Sequence, residues 1–499
     1  MGITSTLRFS STATYLVIAT ILSIAIVALP IETLLIGFVS LSLIALAILH
    51  PLSALTMMLV VAPLRALLAA HSEVNLPLDI GQFAFIAMLG VVAMYRMANR
   101  ESLLTVRWTP LFITLAVFIL VTGLSLATSL SVSLWLSEWL KWLALATTAL
   151  IAIGLAARYN WQWLIFALVV AGIPNAFIGI YIFLGGSGAD HFAINDRFFR
   201  AFGTFEQPNP FGGFMGINAA LAIAMAAGYG LSWYEHRNTQ SRQLTFMFFV
   251  FYTTIAGLLT LGVLISWSRG SWLALTAAVG IMTLFVLKRW RVRLLFVSLA
   301  LIGGFFVFSA GLLPDAIGER LSSAFAEYFT LTDVRGVDVT PENYAVVERL
   351  GHWQAALNMA QANPWLGVGL GNFDAAYSEY RLLNWPQPLG HAHNFYLNIL
   401  AETGIIGALS YICLWIAILW MTMRAMGHPD SLTRLTSIGL MGVWVYIAVH
   451  SLLDNLFVNN VFLHIGVMLG LLHTLYARAA TQTRVSVNEL PGHKGQYGG

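Results

Sequence analysis

Charge is what this 499-residue chain has least of: Lys, Arg, Asp and Glu make up 9% of it, against roughly 25% in soluble proteins. With 59% hydrophobic residues, that scarcity excludes a soluble globular domain. Cysteine is nearly absent too. The lone Cys413 lies inside an apolar run, which excludes a disulfide framework and a cysteine metal site. A net charge of +3, spread over short segments, excludes nucleic acid as a partner. The histidines form no H-E-x-x-H and the acids no cluster with metal-ligand spacing, so neither a metal nor a cofactor is expected. No internal repeat and no low-complexity tract is found.

Apolar runs recur from end to end, each about 18 residues or more, the length needed to cross a hydrocarbon core of about 30 Å. Spans are predicted at 13–29, 31–49, 52–69, 79–96, 110–129, 135–156, 160–184, 210–231, 245–266, 269–287, 292–312, 395–421, 432–452 and 457–477. Two early ones could be re-entrant or half-length. The fold class is therefore an all-α polytopic bundle of about 12–14 transmembrane helices. Tyr15–Leu29 follows Arg8 with no small-x-small cleavage site and reads as a retained helix rather than a signal peptide.

With the N-terminus inside, alternate loops receive Arg96, Arg100 and Arg107, then Arg158, Arg237 and Arg242, the cluster Lys288 to Arg293, and Arg424 and Arg434. The positive-inside rule is thereby obeyed. Arg197, Arg200, Arg269, Arg320, Arg335, Arg349 and Arg381 fall on the outer side against it, and each needs a reason. The chain divides into an N-terminal membrane bundle (1–312), an outer loop region (313–392), C-terminal membrane helices (393–479) and a polar inner tail (480–499) read as disordered. Within the outer region "TPENYAVVERLGHWQAALNMAQANP" predicts a helix capped by Thr340, with Pro341 in its first turn, and stopped at Asn363-Pro364. Val346, Leu350, Trp353, Ala356, Leu357 and Ala360 share one face, for the membrane surface or the bundle.

"GHAHNFYLNILAETGIIG", Gly390 to Gly407, sets His391, His393 and Asn394 at the outer mouth of a span. Asn394, Asn398, Ala401 and Glu402 fall on one face, and a carboxylate on a spanning helix must look into the bundle. His393 could simply cap the helix, or act chemically. Arg200 sits in "FRAFGTFEQPNPFG" and Arg269 in the tight turn "SWSRGSW". A guanidinium there either snorkels to headgroups or binds an anion, and its fork suits the phosphate of a lipid-linked ligand. "GVGLG" (367–371) lacks the Lys-Ser/Thr of a phosphate loop and reads as a turn. Glu138 and Lys141 read as a structural pair, and His450 and Asp454, four apart, could orient a catalytic group or pair with each other.

"HNFYLNILAETGIIG" resembles the signature of the O-antigen ligase family, H-N/S/Q, nine residues, G-x-x-G/T/Y, with His393, Asn394, Gly404 and Gly407 at its defined positions. "RAFGTFEQPNPFG", "SWSRGSWLAL" and "RLGHWQAALNMAQANPWLGVGLGNF" look like other blocks of the wider ligase and polymerase superfamily; the likeness covers about Arg200 to Asp454. The resemblance implies a multi-helix glycosyltransferase of the bacterial inner membrane, of the C-type kind. Such an enzyme moves a glycan from undecaprenyl diphosphate to a lipid A-core hydroxyl on the periplasmic face, with inversion and without metal or nucleotide sugar. It also implies that His393 is the general base and that Arg200 and Arg269, with Arg349, hold the diphosphate, supported by His391, Asn394 and Asp454. Partners would be the lipid-linked glycan, the lipid A-core or another glycan acceptor, and membrane lipids. A polymerase joining lipid-linked repeat units is the close alternative, and a third relative attaches glycans to protein. A lipid-linked sugar transporter or flippase is disfavoured, because such proteins gather ionisable residues near the midplane in repeated halves.

Overall fold

The computed structural model describes residues 50–65, 79–101, 108–186, 189–194, 197–235, 242–287, 289–310, 318, 333–340 and 343–488. Its helices are α1 (Pro51–Val61), α2 (Ile80–Ala98), α3 (Pro110–Leu124), α4 (Val132–Arg158), α5 (Gln162–Phe183), α6 (Pro208–Glu235), α7 (Arg242–Ile265), α8 (Arg269–Val286), α9 (Trp290–Ser309), α10 (Tyr344–Ala362), α11 (Phe373–Tyr380), α12 (Phe395–Ala425), α13 (Ser431–His450) and α14 (Val461–Asn488). A two-strand hairpin, β1 (Ala193–Ile194) with β2 (Phe198–Phe199), is the only sheet among the described residues. Eleven of these helices are long and apolar enough to cross a membrane, and Pro51–Leu64 is a shorter apolar helix. The protein is an all-α, multi-pass membrane protein. The expected spans at 13–29 and 31–49 lie outside the described residues, as does the end of 52–69.

Local chemistry explains the boundaries. Pro51 and Pro110 open α1 and α3, where a missing N–H costs nothing. Asp79 and Gln82 form a reciprocal capping box on α2. Ser268 and Asp430 cap α8 and α13 with their side-chain oxygens. Two boundaries differ from the sequence reading. The outer helix α10 starts at Tyr344 with Asn343 in the cap position, because the Asn343 amide oxygen accepts the Thr340 N–H at 2.8 Å and so claims the turn that Thr340 was expected to cap. The last helix continues to Asn488, beyond the span expected to end at 477.

The densest packing runs through α6, which lies against α7, α13 and α8. Its run of Gly and Ala, nearly all buried, lets neighbouring backbones come close. Trp444 and Tyr446 of α13 and Phe211 and Phe214 of α6 are fully buried there. On other helices large apolar side chains such as Leu120, Ile302 and Phe305 are exposed, as lipid-facing residues must be. Outer helix α10 packs on α12 and α11 with Leu350, Trp353, Ala356 and Met359 buried. Leu357, expected on the same face, is exposed. α10 therefore lies on protein.

Candidate active site

One end of the bundle, here called the rim, gathers the start of α6, the α7–α8 turn, the start of α12 and the end of α13. Backbone bonds fix these pieces to one another. Ala201 N–H donates to Ile265 O at 2.9 Å and Phe395 N–H to Ser451 O at 2.8 Å. The Tyr446 hydroxyl donates to Gly212 O at 2.9 Å and the Tyr396 hydroxyl to Ala448 O at 2.9 Å.

The segment Gly390 to Asn394 is tied down residue by residue. Gly390 N–H donates to Asp374 Oδ1 at 2.9 Å, Ala392 N–H to Asn398 Oδ1 at 3.1 Å and His393 N–H to His391 Nδ1 at 3.0 Å. Asn394 is the cap of α12, its amide oxygen accepting from Tyr396 and Leu397 N–H, both at 3.1 Å. Asn394 thus precedes the helix instead of sharing its polar face. His393 itself has φ +51, a left-handed conformation that a residue with a Cβ rarely adopts. Its neighbours hold it there, and such local strain clusters at functional sites.

The two histidines meet Asp454, which lies in the connection between α13 and α14. His391 Nε2 is 3.5 Å and His393 Nδ1 3.8 Å from Asp454 Oδ1, and the two rings are 4.4 Å apart. Because His391 Nδ1 accepts a backbone N–H, the neutral His391 ring carries its proton on Nε2, toward Asp454. Burial, then His393, push the His391 imidazole down to about 4, against the pull of Asp454. Burial disfavours ionisation of Asp454 as well, yet His393, His391 and His450 hold its carboxyl well below the usual range. His352, one turn from Arg349 on α10, has its ring 6.0 Å from that of His393 and stacks on Tyr377 at 4.9 Å. Burial is the main reason its imidazole is pushed down.

The arginines reach the same place from other elements. Arg200 donates from Nε to Ser266 O and from Nη2 to Asn209 Oδ1, both at 3.3 Å. Arg269 is the first residue of α8, just after that serine. His450 Nε2 lies 3.2 Å from Ser271 Oγ in the first turn of α8, and the Asn209 backbone approaches His450. The Arg349 guanidinium is within electrostatic reach of both His391 and His450. Arg200, Arg269, Arg349, His391, His393 and Asp454 therefore share the rim, linked through Ser266, Ser271, Asn209 and His450. Arg335 is paired with Asp333 at 2.8 Å.

Below the rim the family-like glycines have a physical purpose. α12 breaks at Gly404, where φ is +64 and ψ −168, and the segment Pro364 to Phe373 fills the gap. Val368 and Gly369 N–H donate to Ala401 and Glu402 O at 2.9 and 3.0 Å, while Ile405 N–H donates to Pro364 O at 2.8 Å. The Glu402 carboxylate, 5% exposed, accepts Gly371 N–H at 2.9 Å and Phe373 N–H at 3.2 Å. Glu402→Ala strands two buried donors, each worth about 1–3 kcal/mol. The Gly371 and Phe373 amides are expected to exchange hydrogen at least tenfold faster, read by mass spectrometry; unchanged protection would remove Glu402 from this role. Lys141 and Glu138 do pair on α4.

The sequence reading missed three features. It gave no part to His352 or Asn209, whose signals are spacing alone: His352 three residues after Arg349, Asn209 between two prolines. It also expected no metal-ligand cluster. The fold brings His391, His393 and Asp454 together with one donor atom each, all within 4.8 Å, because α12 and the α13–α14 connection meet at the rim.

The fold and the rim define a multi-pass membrane protein in which three arginines, a histidine pair and a carboxylate gather at one end of the helical bundle. Residues 254–412 match the family model described as O-antigen ligase, about a third of the chain. The match takes in Arg269, Arg349, His391, His393 and Asn394; Arg200 and Asp454 lie beyond it. Comparison with curated proteins gives no match. The matched stretch supports a glycosyltransferase-like enzyme of the O-antigen ligase and polymerase superfamily.

Proposed function

We propose that the protein is an O-antigen ligase that moves a glycan from undecaprenyl diphosphate to a lipid A-core hydroxyl at the periplasmic face of the bacterial inner membrane. The observation that carries this reading is that the elements bearing Arg200, Arg269, Arg349 and His393 come together at one rim. Departure of the diphosphate concentrates negative charge on its oxygens, and fixed guanidinium groups matched to that charge lower the barrier most in the transition state. His393 takes the proton from the acceptor hydroxyl. Asp454, opposite Nδ1, favours the tautomer with the proton on Nδ1 and leaves Nε2 with the lone pair. Direct displacement inverts the anomeric carbon. His391 and Asn394 position the histidine, one through its backbone N–H and the other as helix cap.

Purified protein incubated with undecaprenyl-diphosphate glycan and lipid A-core, with chelator and no nucleotide, tests the reading by gel shift of the core. Glycan on the core is the expected product. Longer lipid-linked chains with the core untouched would make the protein a polymerase instead. Arg269→Lys keeps the charge but loses the two-pronged contact to phosphate. Removing such a charge-assisted contact is worth about 1.5–3 kcal/mol, roughly tenfold to a hundredfold in kcat/KM for the donor. Donor saturation curves that superpose on wild type would take Arg269 out of the site.

A further inference from the structure

His391 and Asp454 orient the base, but their donor atoms also converge with His393 on one point. His391 Nε2, His393 Nδ1 and Asp454 Oδ1 lie within 4.8 Å of one another, and His393 Nδ1 is buried without a hydrogen-bond partner among the described residues. Two imidazole nitrogens and one carboxylate oxygen form a donor set suited to zinc-like divalent cations, with a fourth position left for water. Bonds of about 2.0–2.1 Å at tetrahedral angles put donor atoms about 3.3 Å apart. Asp454 Oδ1 is already 3.5 and 3.8 Å from the two nitrogens, so closure needs only small ring movements there.

We propose that His391, His393 and Asp454 form a three-ligand site for a divalent transition cation of the zinc class, and that its occupation switches transfer off. The inhibitory half rests on the reading of His393 as general base. A neutral imidazole has one basic lone pair. If His393 Nδ1 gives it to the metal, the ring proton must sit on Nε2, which can then take no proton from an acceptor. His391 undergoes the converse exchange: its proton moves from Nε2 to Nδ1, and the His393 N–H loses its acceptor there. The Arg349 guanidinium opposes the cation and the Asp454 carboxylate offsets it. The state is reversible, and a chelator restores the base.

Chelator-stripped, tag-free full-length protein in nanodiscs is titrated with Co2+, reading the visible ligand-field bands of a tetrahedral site, and then with Zn2+ in competition. One equivalent is expected to bind, with His391→Gln and Asp454→Asn each weakening binding at least tenfold and the exposed His191→Gln leaving it unchanged. In wild type, Zn2+ is also expected to shield His391 and His393 from diethyl pyrocarbonate, mapped by peptide mass, which needs no variant to fold. Absence of tetrahedral Co2+, or binding that survives both substitutions, overturns the site, even if His393→Ala still abolishes transfer. Binding at these residues with transfer undiminished overturns the inhibition and the base assignment together, and leaves the metal site standing.

Discussion

His393→Ala is expected to lower glycan transfer by about a hundredfold to ten-thousandfold, the usual contribution of a general base, while the protein stays folded. The ring contributes little to the core. His393 is partly exposed, its Nδ1 makes no hydrogen bond among the described residues, and the backbone bond that positions it comes from its own N–H. Alanine keeps that N–H. The substitution therefore removes proton acceptance with little else, and donor binding, which falls to the arginines, should change by less than the turnover. Measured by single-turnover transfer with matched melting curves, a variant that turns over at the wild-type rate would end the assignment of His393.

Gly404→Ala should act through the fold instead. At φ +64 and ψ −168 the position lies in a region that residues with a Cβ essentially do not occupy. A Cβ there would stand 2.3 Å from the carbonyl carbon of Trp365 and 2.4 Å from its oxygen, both backbone atoms with no rotamer to yield. Strain of this kind costs about 1–3 kcal/mol, and relieving it means undocking Pro364 to Phe373 from α12. That would add the loss of the bonds from Val368, Gly369 and Ile405, about 1 kcal/mol each. A total beyond about 3 kcal/mol is expected, seen as a clear drop in melting temperature and lost protection at Val368 and Gly369. Transfer falls with it, because Asn394 and His393 immediately precede the half of α12 that the break orients. A Gly404→Ala protein with wild-type melting and activity would show that the break is dispensable.

These two substitutions mark what a sequence discloses and what it withholds. His393, Asn394, Gly404 and Gly407 stand at fixed spacing, and the outer arginines offend the positive-inside rule, so the polar candidates are legible as residue types. Eleven spans carry enough apolar length to be legible as well. The break in α12 was not legible. Hydropathy runs on unbroken from Phe395 past Gly404, and only the docked segment, with Gly367, Gly369 and Gly371 all at positive φ, shows why the helix opens there. Nor could spacing reveal that Asp454 faces His391 and His393, because a long-range contact is fixed by the Phe395–Ser451 and Tyr396–Ala448 bonds and by the packing around them. The start of α10 moved past Thr340 for a smaller reason: the Asn343 side chain accepts the Thr340 N–H instead of capping a helix N–H, a local bond that sequence alone does not rank.

The central claim is that the arginines and the histidine serve one diphosphate. A structure of the full chain in nanodiscs with undecaprenyl-diphosphate glycan bound tests it most directly. The diphosphate is expected between the guanidinium groups of Arg200 and Arg269, with Arg349 nearby and the anomeric carbon on the side facing His393. A diphosphate bound elsewhere, beyond hydrogen-bond reach of both Arg200 and Arg269, would contradict it.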